Sequence, residues 1–364
     1  MRNVLDYIYW RGDLTFEQAP LNTIDAMIFS EFSYIDFTRL APNKLENGEL
    51  TIKEAAKLWE EADRKDFMPT GYLHHAQAYE ALTFAGNSKR FEDLMIANHV
   101  KDISVTEESQ FGVTTFNRGG EPFFIAFEGT DLRSLGWKED LQMTYLPAIP
   151  SQKKAVEFLK KHFAKHPQEV SIGGHSKGGN LAVFSAIHVG KLFQPLIRNV
   201  YSYDAPGFTT EILEDEDYIR LEDRIQSFIP QDSMIGLLLH KLEEETVVYS
   251  HGSEFDQHDI YTWEIKGQEF VSSDLTESAR EIQRLMNELL DELSLKEREE
   301  FTETLFTIIG DGEDDFIIGD HRYNLQKIPE MIKEFRGLNK EEKKNLFKVL
   351  RLFYRKRIET KFEI

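Results

Sequence analysis

The apolar positions of this chain change rhythm twice. Over residues 22–37, Ile24, Met27, Ile28, Phe32 and Ile35 recur at helical spacing, and Thr51 with Glu54 three residues later is a capping box opening a second helix through about Arg64. Phe111–Phe116 and Phe123–Phe127 then flank Asn117-Arg118-Gly119-Gly120. Two apolar runs about a glycine-containing turn predict a hairpin. From about residue 150 short apolar runs alternate with helical ones: a helix over 152–164, a strand at Glu169–Gly173, a helix over Gly179–Val189, and strands at Asn199–Tyr203, Arg224–Ile229 and Thr246–Ser250. Strands separated by helices imply parallel pairing with both sheet faces covered, and the antiparallel start makes the sheet mixed. Past about Ser272 the strand signals stop. Residues 274–309, 324–336 and 339–362 are helix-forming, broken by Gly310-Asp311-Gly312-Glu313-Asp314-Asp315. The expectation is an α/β chain: a mixed, mostly parallel sheet with flanking helices over residues 1–272, and a helical C-terminal appendage over 273–364.

Composition narrows the function. The 364 residues are 41% hydrophobic with 27 Phe and 13 Tyr, enough for a sizeable core and too apolar for a disordered chain. A net charge of −21 is repelled by phosphate backbones, which argues against a nucleic-acid partner. With no cysteine there are no disulfides, thiolate metal sites or cysteine nucleophile, and a reducing cytoplasm fits. The opening residues lack the apolar run of a secretory leader, and no stretch approaches the ~18 apolar residues of a membrane helix, so a soluble, cytoplasmic protein is expected. The C-terminus runs against the overall charge. Residues 339–364 carry nine basic and four acidic side chains, with Leu346, Phe347, Leu350, Phe353 and Tyr354 at helical spacing. Two expectations attach to that segment: a helix docked on the appendage with its lysines neutralising nearby acids, or peripheral contact with a membrane surface.

The candidate chemistry lies in Ile172-Gly173-Gly174-His175-Ser176-Lys177-Gly178-Gly179-Asn180. Gly174-x-Ser176-x-Gly178 between a strand and a helix is the pattern of a nucleophile elbow, a strained turn that lifts the serine hydroxyl above the sheet while strand and helix pass closely. A phosphate-binding loop would need a different order of glycines and lysine. A serine needs a base, and the base needs an acid to orient it. His188 falls in the following helix, His240 in an apolar helix over Leu237–Leu242, and His321 in the appendage, leaving His251 and His258 after the Thr246–Ser250 strand. The polar loop around His258 favours it, with His251 as the alternative base. Asp232 and Asp204 each follow a strand and compete as the acid. For the oxyanion, the donors are the N–H of Lys177 and the Gly129-Thr130 turn after the Ile125–Phe127 strand.

Phe127-Glu128-Gly129-Thr130, Trp137-Lys138-Glu139-Asp140 and Gly174–Gly179 together resemble the class 3 (fungal-type) lipases of the α/β-hydrolase superfamily. The whole chain is similar to a bacterial family of lipase-3-like hydrolases, through its Asp6-Tyr7-Ile8-Tyr9-Trp10-Arg11-Gly12-Asp13 opening, its His-Ser-Lys-Gly-Gly-Asn elbow, and Gln257-His258-Asp259 followed by Trp263. The resemblance implies a triad of Ser176, Asp232 and His258 with Thr130 and Lys177 as oxyanion donors, an ester or lipid-like substrate, and no metal or organic cofactor. It leaves open an acyltransferase or thioesterase, and a non-catalytic binding protein. Glu128 stands where that family has arginine and Lys177 where it has leucine, and a charge beside the nucleophile disfavours a greasy acyl-binding rim.

Overall fold

Asn3, Asn22 and Thr51 begin helices by the same device: each side-chain oxygen accepts a first-turn N–H while an acid three residues on answers the cap's own N–H. The computed structural model describes residues 2–46, 48, 50–63, 76–131, 134–310 and 321–362. Its N-terminal layer comprises α1 (Val4–Arg11), α2 (Thr23–Phe32), α3 (Phe37–Leu40), α4 (Pro42–Glu46), α5 (Ile52–Glu61) and α6 (Ala76–Gly86). The single helix expected over 22–37 is split, because Asp36 caps a new helix by accepting the Arg39 N–H. Arg64, the expected end of the second helix, lies outside the described residues, as do Asp311–Asp315.

Next come β1 (Met95–Ser104), β2 (Ser109–Arg118), β3 (Glu121–Phe127), α7 (Ser134–Gln142), α8 (Pro150–Lys165), β4 (Val170–His175), α9 (Lys177–His188), β5 (Ile197–Tyr203), α10 (Thr210–Leu213), α11 (Glu216–Leu221), β6 (Ile225–Pro230) and β7 (Glu245–Val248). These seven strands form one sheet in sequence order, antiparallel from β1 to β3 and parallel from β3 to β7. The predicted hairpin is β2–β3. One face is covered by α1, α2, α5 and α6 through Phe29, Phe32 and Trp59, the other by α8 and α9 through Leu159, Phe163 and Leu181. This is an α/β-hydrolase-type architecture. His240 does not lie in a helix: Leu239 takes a left-handed φ of 63°, and His240 instead forms an extended bridge with Phe208.

A small hairpin of β8 (Ile265–Lys266) and β9 (Glu269–Phe270) leads to α12 (Glu277–Asp291), α13 (Leu295–Ile309), α14 (His321–Gly337) and α15 (Lys340–Phe362). Leu289, Leu293 and Val349 share a core within this helical unit. In α15, Lys348 pairs with Glu297 and Arg355 with Glu292, so the basic helix neutralises acids of its own neighbours. Phe347, Leu350 and Tyr354 remain exposed. Among the described residues no helix is long and apolar enough to cross a membrane.

Candidate active site

Parallel register brings the carboxyl ends of β3, β4 and β5 together, pairing Phe127 with Gly174 and His175 with Tyr203. Glu128, Ser176 and Asp204 therefore leave the sheet side by side, at the edge where α/β sheets collect their sites. Ser176 sits at φ 56°, ψ −133°, a conformation that L-residues avoid, and its N–H donates to the Tyr203 carbonyl at 2.8 Å. The glycines make the turn sterically possible. A Cβ on Gly174 would lie 2.2 Å from the Gly178 carbonyl carbon, and one on Gly178 would lie 2.2 Å from the Phe127 carbonyl oxygen. Backbone this close admits no side chain. Ser176 thus stands at the head of α9, where free N–H groups and the helix dipole favour a developing negative charge.

His258 comes from the loop after β7 and is 9% exposed. Its Nδ1 lies 2.7 Å from Oδ2 of Asp204, a carboxylate only 1% exposed. The other oxygen of Asp204 accepts the Ser233 hydroxyl and the Gly236 N–H. With Nδ1–H donating to that carboxylate, the lone pair of the neutral ring is on Nε2. The loop is held from the elbow itself: His175 Nε2 lies 2.9 Å from the His258 carbonyl, and the two rings lie 4.5 Å apart.

The expected partner, Asp232, is engaged elsewhere. One of its oxygens accepts Nε2 of Gln257 at 3.2 Å, its N–H donates to Gln257 Oε1 at 3.1 Å, and its other oxygen accepts the hydroxyls of Thr276 and Ser278 at the head of α12. The geometry therefore pairs Asp204, not Asp232, with His258. Asp204 follows β5, next to the β4 strand that delivers Ser176, whereas Asp232 follows β6, one strand further out. His251 is turned away toward Glu264, with Nε2 at 2.8 Å from its carboxylate.

Thr130 lies at the other side of the elbow, since a Cβ on the preceding Gly129 would approach Ser176 Cβ to 3.2 Å. Its hydroxyl donates to Asp140 at 2.7 Å. The sequence noted Asp140 only as part of a motif; its work is to fix that hydroxyl. Withdrawal from water pushes the Asp140 carboxyl up to about 6, with Lys177 and the Thr130 hydrogen bond opposing. A carboxyl raised on folding makes the native state bind its proton more tightly, so its ionisation costs stability as pH rises from about 4 to about 6. On lowering pH from 7 to 4, wild type is expected to gain stability relative to Asp140→Asn, read as the difference in urea midpoints. A constant difference would place Asp140 in an ordinary solvated setting.

The two charges expected to spoil an apolar rim are both turned inward. Lys177 is fully buried, its ammonium 2.8 Å from Glu139 and 3.0 Å from the Gln110 carbonyl. Burial works against that charge, but Glu139 and Asp140 outweigh it and hold the ammonium above its ordinary range. Glu128 is buried against Lys101 at 2.9 Å. With both charges internally paired, the cavity beside Ser176 is apolar: about 160 Å³, walled by Trp137, Leu141, Leu238, Met286, Leu290 and Phe301 among others. Sequence reasoning also passed over Glu31 and Tyr34, which meet His175 from α2 and the turn after it, at 3.5 and 3.3 Å.

A comparison with curated proteins returns no match. A solved structure described as that of M37 lipase is similar over 58% of this chain and 67% of that one, at 17% identity and a TM-score of 0.34. The family model of Mbeg1-like proteins matches residues 85–307, from the end of α6 through most of α13, and the chain belongs to that family.

Proposed function

We propose that this protein is a serine hydrolase that cleaves a carboxylic ester through an acyl-enzyme. The reading rests above all on one observation: a serine held in a strained turn at a helix head, and, packed on the ring of the residue before it, a histidine whose Nδ1 is fixed by a buried carboxylate. Ser176 Oγ bonds to the ester carbonyl carbon while its proton passes to His258 Nε2. The oxyanion is met by the Lys177 N–H and by Thr130, whose hydroxyl Asp140 orients. Collapse of the tetrahedral species breaks the bond to the alcohol, which leaves with the proton from His258. Water, deprotonated by the same nitrogen, then releases the acid and frees Ser176. Asp204 keeps the imidazole in the required tautomer and balances its charge when protonated. The likeness to class 3 lipases is, on this reading, a likeness of chemistry, with Asp204 in the place first given to Asp232.

A fluorophosphonate probe tests this reading. The wild-type protein is expected to be labelled stoichiometrically at Ser176, and His258→Ala to slow labelling by several orders of magnitude. His251→Ala should react within about threefold of wild type, because its ring is paired with Glu264. Absence of labelling in folded wild-type protein would identify a non-catalytic relative of the fold, and slow labelling in His251→Ala alone would give that residue the base role.

A further inference from the structure

The cavity beside Ser176 has two walls from different parts of the chain. Trp137, Leu141 and Leu238 come from α7 and the β6–β7 connection, whereas Met286, Leu290 and Phe301 come from α12 and α13, and Val349 from α15. The helical unit is fastened over this opening by named contacts. Arg298 of α13 donates to the Thr144 carbonyl at 2.6 Å and to the Leu290 carbonyl at 2.6 Å, tying the helical unit to the turn after α7. Lys138 of α7, nearly fully buried, pairs with Glu303 of α13 at 3.0 Å. Asp232 binds Thr276 and Ser278, anchoring the head of α12 to the loop that also holds Gln257. Leu289, Leu293 and Val349 line the same cavity and pack on one another in the core of the helical unit.

Resting on the serine-hydrolase reading, we propose that α12, α13 and α15 are the specificity wall of that site, and that it selects esters of short apolar acids, with an acyl chain of about six carbons. Size supports the number: a dry apolar cavity of about 150 Å³ holds one six-carbon ring, and this cavity is about 160 Å³. Chemistry supports the class. The lining is aliphatic and aromatic, and its charged members are Asp140, which receives the Thr130 hydroxyl, and Arg298, committed to backbone carbonyls. A chain of sixteen carbons exceeds that volume and would have to push apart lining residues that pack on one another, Leu289, Leu293 and Val349.

A series of p-nitrophenyl esters with acyl chains of two to sixteen carbons tests the proposal at constant leaving group. Wild type is expected to show its highest kcat/KM near six carbons and to fall at least tenfold by sixteen. Met286→Trp fills the cavity and should lower the hexanoate-to-acetate ratio at least tenfold, whereas Leu290→Ala opens it and should move the optimum two or more carbons longer. Ratios within one preparation are insensitive to the fraction that folds. A profile unchanged in both variants overturns the specificity wall while leaving the serine chemistry standing. Binding without turnover separates the two ideas further. In Ser176→Ala, methyl hexanoate should raise the melting temperature more than methyl acetate does, and Met286→Trp in that background should remove the difference. Equal effects of the two esters overturn the wall; a hexanoate effect in a protein that no fluorophosphonate labels keeps the pocket and removes the catalytic reading.

Discussion

Replacing Ser176 by alanine is expected to abolish fluorophosphonate labelling and to lower turnover of a short p-nitrophenyl ester by about 10⁶-fold, the loss seen when a triad nucleophile is removed. Glycine at the same position makes a second, opposite measurement. Ser176 holds a φ of 56° that an L-residue adopts only at a cost of about 1–3 kcal/mol, and glycine adopts it freely. Glycine also frees the unfolded chain, which costs roughly 0.5–1 kcal/mol. The strain term is the larger, so Ser176→Gly should be inactive yet more stable than wild type by about 1 kcal/mol, while Ser176→Ala gains nothing from strain relief. Greater stability with lost activity would mark the turn as distorted for reactivity. Two variants equal in stability would mean the elbow is unstrained, and full activity in either would end the nucleophile assignment.

The elbow could be read from sequence because its demands are local. Two glycines at fixed spacing between an apolar strand and a helix leave few other uses, and the contacts of Gly174 with Gly178 and of Gly178 with Phe127 bear out the close approach. Charge direction was not local. Lys177 and Glu128 read as polar rim residues, but partners distant in sequence, Glu139 and Lys101, draw them into the interior. The first strand escaped notice for a related reason: β1 is an edge strand carrying Asn98 and Asp102 at exposed positions, so its alternation is masked by solvent-facing polar residues. The helical segment after residue 272 was legible as helices, but nothing in its periodicity says that Met286, Leu290 and Val349 meet a cavity reached by Ser176. The acid stood between these extremes. Asp204 and Asp232 follow neighbouring parallel strands roughly 5 Å apart, and which of them His258 reaches depends on the path of its loop. That path is set by long-range contacts, with the Trp263 indole donating to the Gln257 carbonyl and His175 holding the His258 carbonyl.

Asp204→Asn and Asp232→Asn therefore should separate by orders of magnitude. At Asp204 an amide can donate to Nδ1 and so push the imidazole proton onto Nε2, the nitrogen that must accept the proton of Ser176. It also removes the charge that balances the imidazolium. In triads of this geometry the same change lowers kcat by about 10⁴-fold, and that loss is expected here. The remaining contacts of Asp204, from the Ser233 hydroxyl and the Gly236 N–H, can both be kept by the amide oxygen, so the fold should survive. At Asp232 the contacts are with Gln257, Thr276 and Ser278, none of which transfers a proton. Asparagine should loosen the head of α12 and the neighbouring loop, lowering the melting temperature by a few degrees, while kcat per folded molecule stays within about tenfold of wild type. Circular dichroism and active-site titration on both variants keep stability and chemistry apart. A crippled Asp232→Asn beside an active Asp204→Asn would mean that the working enzyme pairs His258 with the outer carboxylate, and that the loop between Ser250 and Trp263 is rearranged when substrate is bound.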